Sequence, residues 1–214
     1  MSREGEIIRD EVPVVDIIKA QAISAIESLN LKNNVGVVMF GAKTDGQSFG
    51  SADEAMQASV VTIADVKPLY SHKKELVDGV SAIVGGGTTA PDTALREAVE
   101  MLSGKDGQRT IIFLTNGRFS AGVGDFDAGA KAQVESVVSN AYNRYGIQTH
   151  IIGVGSSDFD ANEFSKRVDE EFLQGMAQRS DGLYDRATNM ARLILQYGDP
   201  EEKQFGENFR LVTL

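Results

Sequence analysis

Thr110-Ile111-Ile112-Phe113-Leu114-Thr115-Asn116-Gly117 is an apolar strand that runs straight into a polar turn. A short, uninterrupted apolar run bounded by turn residues is the pattern of a strand buried on both faces, as in a parallel sheet covered by helices. Two further runs share the pattern. Val35-Gly36-Val37-Val38-Met39-Phe40 is bounded by Asn33-Asn34 and Gly41, and residues 148–154 are closed by Gly153 and Gly155. Residues 59–66 alternate more weakly, as an edge strand does, and Gly182-Leu183-Tyr184 predicts one more short strand.

Between these runs the period changes. Val14, Val15, Ile18, Ala22, Ile26 and Leu29 recur at three- and four-residue spacing, which predicts a helix over 13–29. Leu76, Val80 and Ile83 predict one over 71–83, and Ala94, Leu95, Ala98 and Leu102 one over 93–102. A long helix is expected over 126–145, ended by Gly146. Another is expected to run from a cap at Asp160 to about Arg179, and a last one over 187–197. Residues 47–56 read as a polar loop with a short helical piece. Strands alternating with helices predict βαβ units. The expected fold is α/β: a doubly wound, mostly parallel sheet with helices on both faces, in a single domain over 1–214.

Composition narrows the function. The 214 residues are 42% hydrophobic, enough for one buried core. The 31 acidic and 21 basic residues leave a formal charge of −10. Such a surface opposes a phosphate backbone, so nucleic acid is not an expected partner. No apolar run has the length of a membrane span, and Met1-Ser2-Arg3-Glu4-Gly5-Glu6 has no basic stretch leading into an apolar core. Neither membrane insertion nor secretion is expected. Cysteine is absent, which excludes disulfides and thiolate chemistry and fits the cytoplasm.

A second motif accompanies the opening strand. Gly85-Gly86-Gly87-Thr88-Thr89-Ala90-Pro91-Asp92-Thr93-Ala94-Leu95 is a glycine-threonine loop entering a helix. Loops at the carboxyl ends of parallel strands converge on one crevice. Oxygen side chains from two such loops suit a hard cation that keeps several of its waters, such as magnesium.

In these residues the chain resembles the von Willebrand factor A domain family. Residues 29–40 (LNLKNNVGVVMF) are similar to its helix-to-strand passage, and Gly86 to Leu95 to its glycine-threonine loop. Leu114-Thr115-Asn116-Gly117 resembles its Leu-Thr-Asp-Gly turn, and His150-Ile151-Ile152-Gly153-Val154-Gly155 its next strand. The resemblance implies a site for Mg²⁺ or Mn²⁺ built from an Asp-x-Ser-x-Ser motif, a threonine and an aspartate. The threonine position falls on Thr89, with Thr88 beside it, and the aspartate position on Asn116. The Asp-x-Ser-x-Ser motif is absent. An asparagine offers a carbonyl oxygen without charge, so the site is degenerate and any Mg²⁺ or Mn²⁺ binding is expected to be weak.

Met1-Ser2-Arg3-Glu4 looks like the continuation of the missing motif, and Phe209-Arg210-Leu211-Val212-Thr213-Leu214 like the strand that precedes it. The expectation is a circular permutation in which 209–214 forms the middle strand between 35–40 and 110–114. The resemblance then implies a non-enzymatic protein-interaction module. Its partner surface would comprise Thr89, Asn116, Gly117, Arg118 and Ser2. The alternative is a structural or assembly protein, or a fragment, whose sheet is completed by another copy or a partner chain.

Each of these residues also has a plainer use. Thr88 and Thr89 suit a helix cap, and Asn116-Gly117 is an ordinary turn pair. Asp158-x-Asp160-x-Asn162 imitates a calcium loop, but Glu163 stands where glycine is needed. Gly85 to Gly87 lack the Gly-Lys-Ser/Thr ending of a phosphate loop. Ser120 and Ser156 have no triad signature. His72 and His150 are far apart in sequence, and His150 is expected as a satisfied edge or core residue. Arg118, Phe119 and the stretch to Gly129 read as an exposed loop beside the site.

Overall fold

The computed structural model describes residues 14–43, 60–85, 90–117, 119, 128–154, 168–186 and 208–213. Its elements are α1 (Val14–Ser28), β1 (Asn34–Phe40), β2 (Ala42–Lys43), β3 (Val60–Pro68), α2 (Leu69–Ala82), β4 (Val84–Gly85) and α3 (Pro91–Ser103). They continue with β5 (Arg109–Thr115), α4 (Ala128–Tyr145), β6 (Gln148–Gly153), α5 (Glu170–Arg179), β7 (Tyr184–Arg186) and β8 (Asn208–Thr213).

Among the described residues, six strands form the main sheet in the order β3-β1-β8-β5-β6-β7, and β2 pairs with β4 in a two-stranded ribbon. All neighbours in the main sheet are parallel except β3, which runs antiparallel to β1 along one edge. The last strand in chain order therefore lies in the interior, with Leu211 opposite Val37 on one side and Ile112 on the other.

Alternation along the strands divides the core into two layers. Val35, Val37, Met39, Ile112, Leu114 and Ile152 face α1 and α2, where they meet Ile18, Ala22, Ile26, Leu76 and Val80. Val38, Phe40, Ile111, Phe113 and Ile151 face the other way, against Leu95, Ala98, Leu102, Val134, Val138, Leu173 and Met176. The rings of Phe40 and Phe113 stand 5.6 Å apart. With layers on both faces, β1 and β5 have no exposed position, which is why their sequences are continuously apolar.

Several boundaries differ from the sequence reading. The helix expected over 71–83 begins at Leu69, directly after Pro68, with a kink at His72. Pro91 opens α3, where its missing N–H leaves no intrahelical bond unmade. The helix ending at Arg179 does not run continuously from Asp160. It starts at Glu170 and is capped by Asp169, whose side chain accepts from the Phe172 amide at 3.3 Å. The strand expected at 182–184 lies at Tyr184–Arg186. The turn is made by Ser180 and Asp181, and Gly182 and Leu183 lead from it into the strand, with the Leu183 carbonyl accepting from the Ile151 amide at 2.7 Å. The loop expected at 47–56 and the helix expected at 187–197 lie outside the described residues. Among the described residues, no helix is long and apolar enough to cross a membrane.

Candidate interaction site at the carboxyl ends of the strands

The turn after β5 is fixed from three sides. The Val154 amide donates to the Thr115 carbonyl at 2.9 Å, which ties the ends of β5 and β6 together. The Gly117 amide donates to Thr115 Oγ1 at 3.1 Å. The Asp169 amide donates to the Asn116 carbonyl at 2.9 Å, bringing the start of α5 onto the turn. Gly117 has φ +75°, and an added Cβ would lie 2.9 Å from Leu173 Cγ and Cδ2. Glycine is therefore required at 117 for both its backbone angle and its lack of bulk. Asn116 is 7% exposed.

A charged pair borders the turn. Asp169, besides capping α5, forms an ion pair with Lys131 of α4. The Lys131 ammonium also lies over the Phe172 ring, 4.8 Å from its centroid, where the negative face of the ring attracts it. Phe172 meets Phe119 edge to face at 5.8 Å. Phe119, expected in an exposed loop, is instead 2% exposed, because Phe172 supplies an aromatic partner that sequence does not show. Between α4 and α5 runs an open groove of about 630 Å³, lined by Lys131, Glu135, Asp169, Phe172 and Arg179 among others. A second pair crosses it, Arg179 to Glu135 at 3.2 Å.

Of the residues expected to form the site, Asn116 and Gly117 stand together on this turn. Ser2, Thr88, Thr89 and Arg118 lie outside the described residues. Lys131 and Asp169 were not singled out from the sequence. The run Asp169-Glu170-Glu171 did carry the signal of a helix start, while Lys131 carried none.

The two histidines are held apart from the turn in different ways. In His72, ring nitrogens Nδ1 and Nε2 each lie 2.9 Å from a backbone carbonyl, those of Pro68 and Val35. In His150 the Nδ1 atom accepts from the Leu183 amide at 3.0 Å. Burial lowers the His150 pKa to about 4, against a smaller opposing effect of the Asp181 carboxylate.

The von Willebrand factor type A domain model matches residues 14–196. The chain belongs to that family. No curated protein sequence matches it. Among solved structures, it is similar to the pilus adhesin SpaC from Lactobacillus rhamnosus GG in its open conformation, with TM-score 0.60 and 15% identity. That likeness covers 89% of this chain and 28% of the adhesin chain. It is also similar to a von Willebrand factor type A protein from Catenulispora acidiphila, with TM-score 0.57 and 14% identity, over 90% of this chain and 39% of that one. At such identities the likeness is one of fold, and this chain spans well under half the length of either.

Domains of the von Willebrand A family can bind Mg²⁺ or Mn²⁺ at their metal-ion-dependent adhesion site. The described part of this site does not fit a hard dication well. Asn116 brings no charge, its backbone carbonyl is engaged by Asp169, and the Asp169 carboxylate is committed to Lys131 and the α5 cap. Among the described residues, no three His, Asp or Glu side chains gather as a metal shell. Among the described residues, Lys131 sets its positive charge beside Asp169.

Proposed function

We propose that this von Willebrand A domain is a non-enzymatic protein-interaction module, a single domain over 1–214 acting in the cytoplasm. Its partner surface comprises the loops around Thr89 and Asn116, with Gly117, Arg118 and Ser2. The reading rests on the family match over 14–196. The Asn116-Gly117 turn supports it by tying β5, β6 and the start of α5 together at the carboxyl end of the sheet, where the loops of such folds bind their ligands. The neutral side chain at 116 supports a degenerate metal site, in which partner contact depends weakly or not at all on Mg²⁺ or Mn²⁺. The position of β8 between β1 and β5 supports reading 209–214 as the family's first strand, placed at the other end of the sequence by circular permutation.

Two measurements test this. Calorimetric titration with Mg²⁺ and Mn²⁺ is expected to give no micromolar binding, and tight binding would restore a working metal site. A partner captured with the wild-type chain should be retained in the presence of a chelator and lost with the Thr89→Ala/Asn116→Ala double variant. If the double variant captures the same proteins equally well, these loops are not the partner surface.

A further inference from the structure

At the end of the sheet away from Asn116, the chain leaves α1 and turns into β1 beside the start of α2. The two most exposed large apolar side chains of the described residues meet here, Tyr70 at 70% and Leu31 at 49% exposure. Their proximity is built in: the Tyr70 amide donates to the Leu31 carbonyl at 3.0 Å, and the Leu69 amide to the Asn33 carbonyl at 2.8 Å. Buried His72 sits at the same turn, its two ring nitrogens each 2.9 Å from a backbone carbonyl, those of Pro68 and Val35, and its single N–H donates to one of them. Leu31, Tyr70, Lys73, Lys74 and Val77 line one shallow groove of about 570 Å³.

The lining of the groove carries a basic excess, Lys73 and Lys74 against Glu75, in a protein of formal charge −10. Around it, exposed Lys32 and Lys67 are matched in sequence by exposed Glu27, Asp65 and Asp78, so the excess is confined to the groove. Lys74 pairs with Asp78, but the two side chains are 87% and 61% exposed. Water screens such a pair almost completely, so another carboxylate can take the ammonium at little cost. Lys73 donates to the Glu27 carbonyl at 3.1 Å, which holds its ammonium near the groove. Tyrosine has a large apolar body and little rotamer freedom to lose, and aromatic residues are enriched where interfaces draw their binding energy. A rigid tyrosine-leucine pair rimmed by ammonium groups matches a segment with one large apolar side chain between carboxylates.

We propose that Leu31, Tyr70, Lys73 and Lys74 form a second docking surface, for an acidic protein segment carrying one large apolar residue. It is independent of the loops at the other end of the sheet.

The probe is a fluorescein-labelled peptide of alternating Glu and Asp with one central Phe, titrated with the full chain and followed by fluorescence anisotropy. Saturable binding is expected, weakening as salt is raised. It should fall by about tenfold or more in Tyr70→Ser, as loss of an aromatic anchor does, and several-fold in Lys74→Glu. Both side chains are exposed, so thermal melts of the variants should match the wild type. A peptide with Phe→Ser should bind as weakly as the Tyr70→Ser variant binds the original. Binding that ignores both substitutions, or is equal for a Lys-containing peptide, overturns the proposal. So does self-association abolished by Tyr70→Ser in sedimentation, which would make this face a contact between copies. Preferential binding to phosphatidylserine vesicles, lost in the same variant, overturns it in favour of a lipid surface.

Discussion

Gly117 and His150 show how single residues set the terms for this domain. At Gly117 the left-handed backbone and the closeness of Leu173 act together. Gly117→Ala is expected to lose about 3 kcal/mol of stability, from αL strain and overpacking combined; urea denaturation measures it, and a loss under about 1 kcal/mol would show that the turn relaxes. His150 is uncharged in the fold down to about pH 4, whereas an unfolded chain takes up that proton near its ordinary value of about 6.5. The unfolded state thus binds more protons between these values. The contribution is complete above about pH 6.5 and is lost as pH falls towards 4, by on the order of 3 kcal/mol. Denaturant midpoints measured from pH 7.5 to 4 should show the decline, and His150→Asn, which keeps an acceptor for Leu183, should remove that part of it.

At the scale of elements, the junction of α4, α5 and the β5 turn rests on Asp169, which combines a cap with an ion pair. The two can be separated because asparagine caps a helix about as well as aspartate. Asp169→Asn should lose only the Lys131 pair. Asp169→Ala should be less stable by about a further 1 kcal/mol. Lys131→Met should be additive with neither, since the pair is shared; strict additivity in a double-mutant cycle would mean that the pair contributes nothing. This junction also marks where sequence reading stops. Strands β1, β5 and β6 were legible because burial on both faces leaves a continuous apolar run, and Asn116-Gly117 because turn chemistry is local. Asp160 and Asp169 are equally good caps by type, and the bond from the Asp169 amide to the Asn116 carbonyl, which fixes where α5 begins, joins residues too far apart in sequence to be read there. Lys131 was illegible for the same reason: its carboxylate partner lies on another helix. Phe119, among glycines and polar residues, looked exposed until Phe172 packed against it.

For the whole molecule, the arrangement turns on β8. Its backbone is laddered on both sides, to β1 through Asn34–Met39 and to β5 through Arg109–Leu114. Deleting 208–214 would expose two rows of buried ladder groups. The truncated chain should lose its cooperative thermal transition or associate through the opened slot. Calorimetry combined with sedimentation checks this; a truncated chain that melts cooperatively as a monomer would mean the slot closes in another way.

The same strand governs the order of assembly during synthesis. The α1–β3 portion and the β5–β7 portion both leave the ribosome before the segment that joins them, so each waits with an unsatisfied inner border. Contacts this distant along the chain close slowly. Until residue 213 has cleared the exit tunnel, the nascent protein presents two sticky borders to its neighbours, and its yield in cells should depend on chaperones that shield such borders.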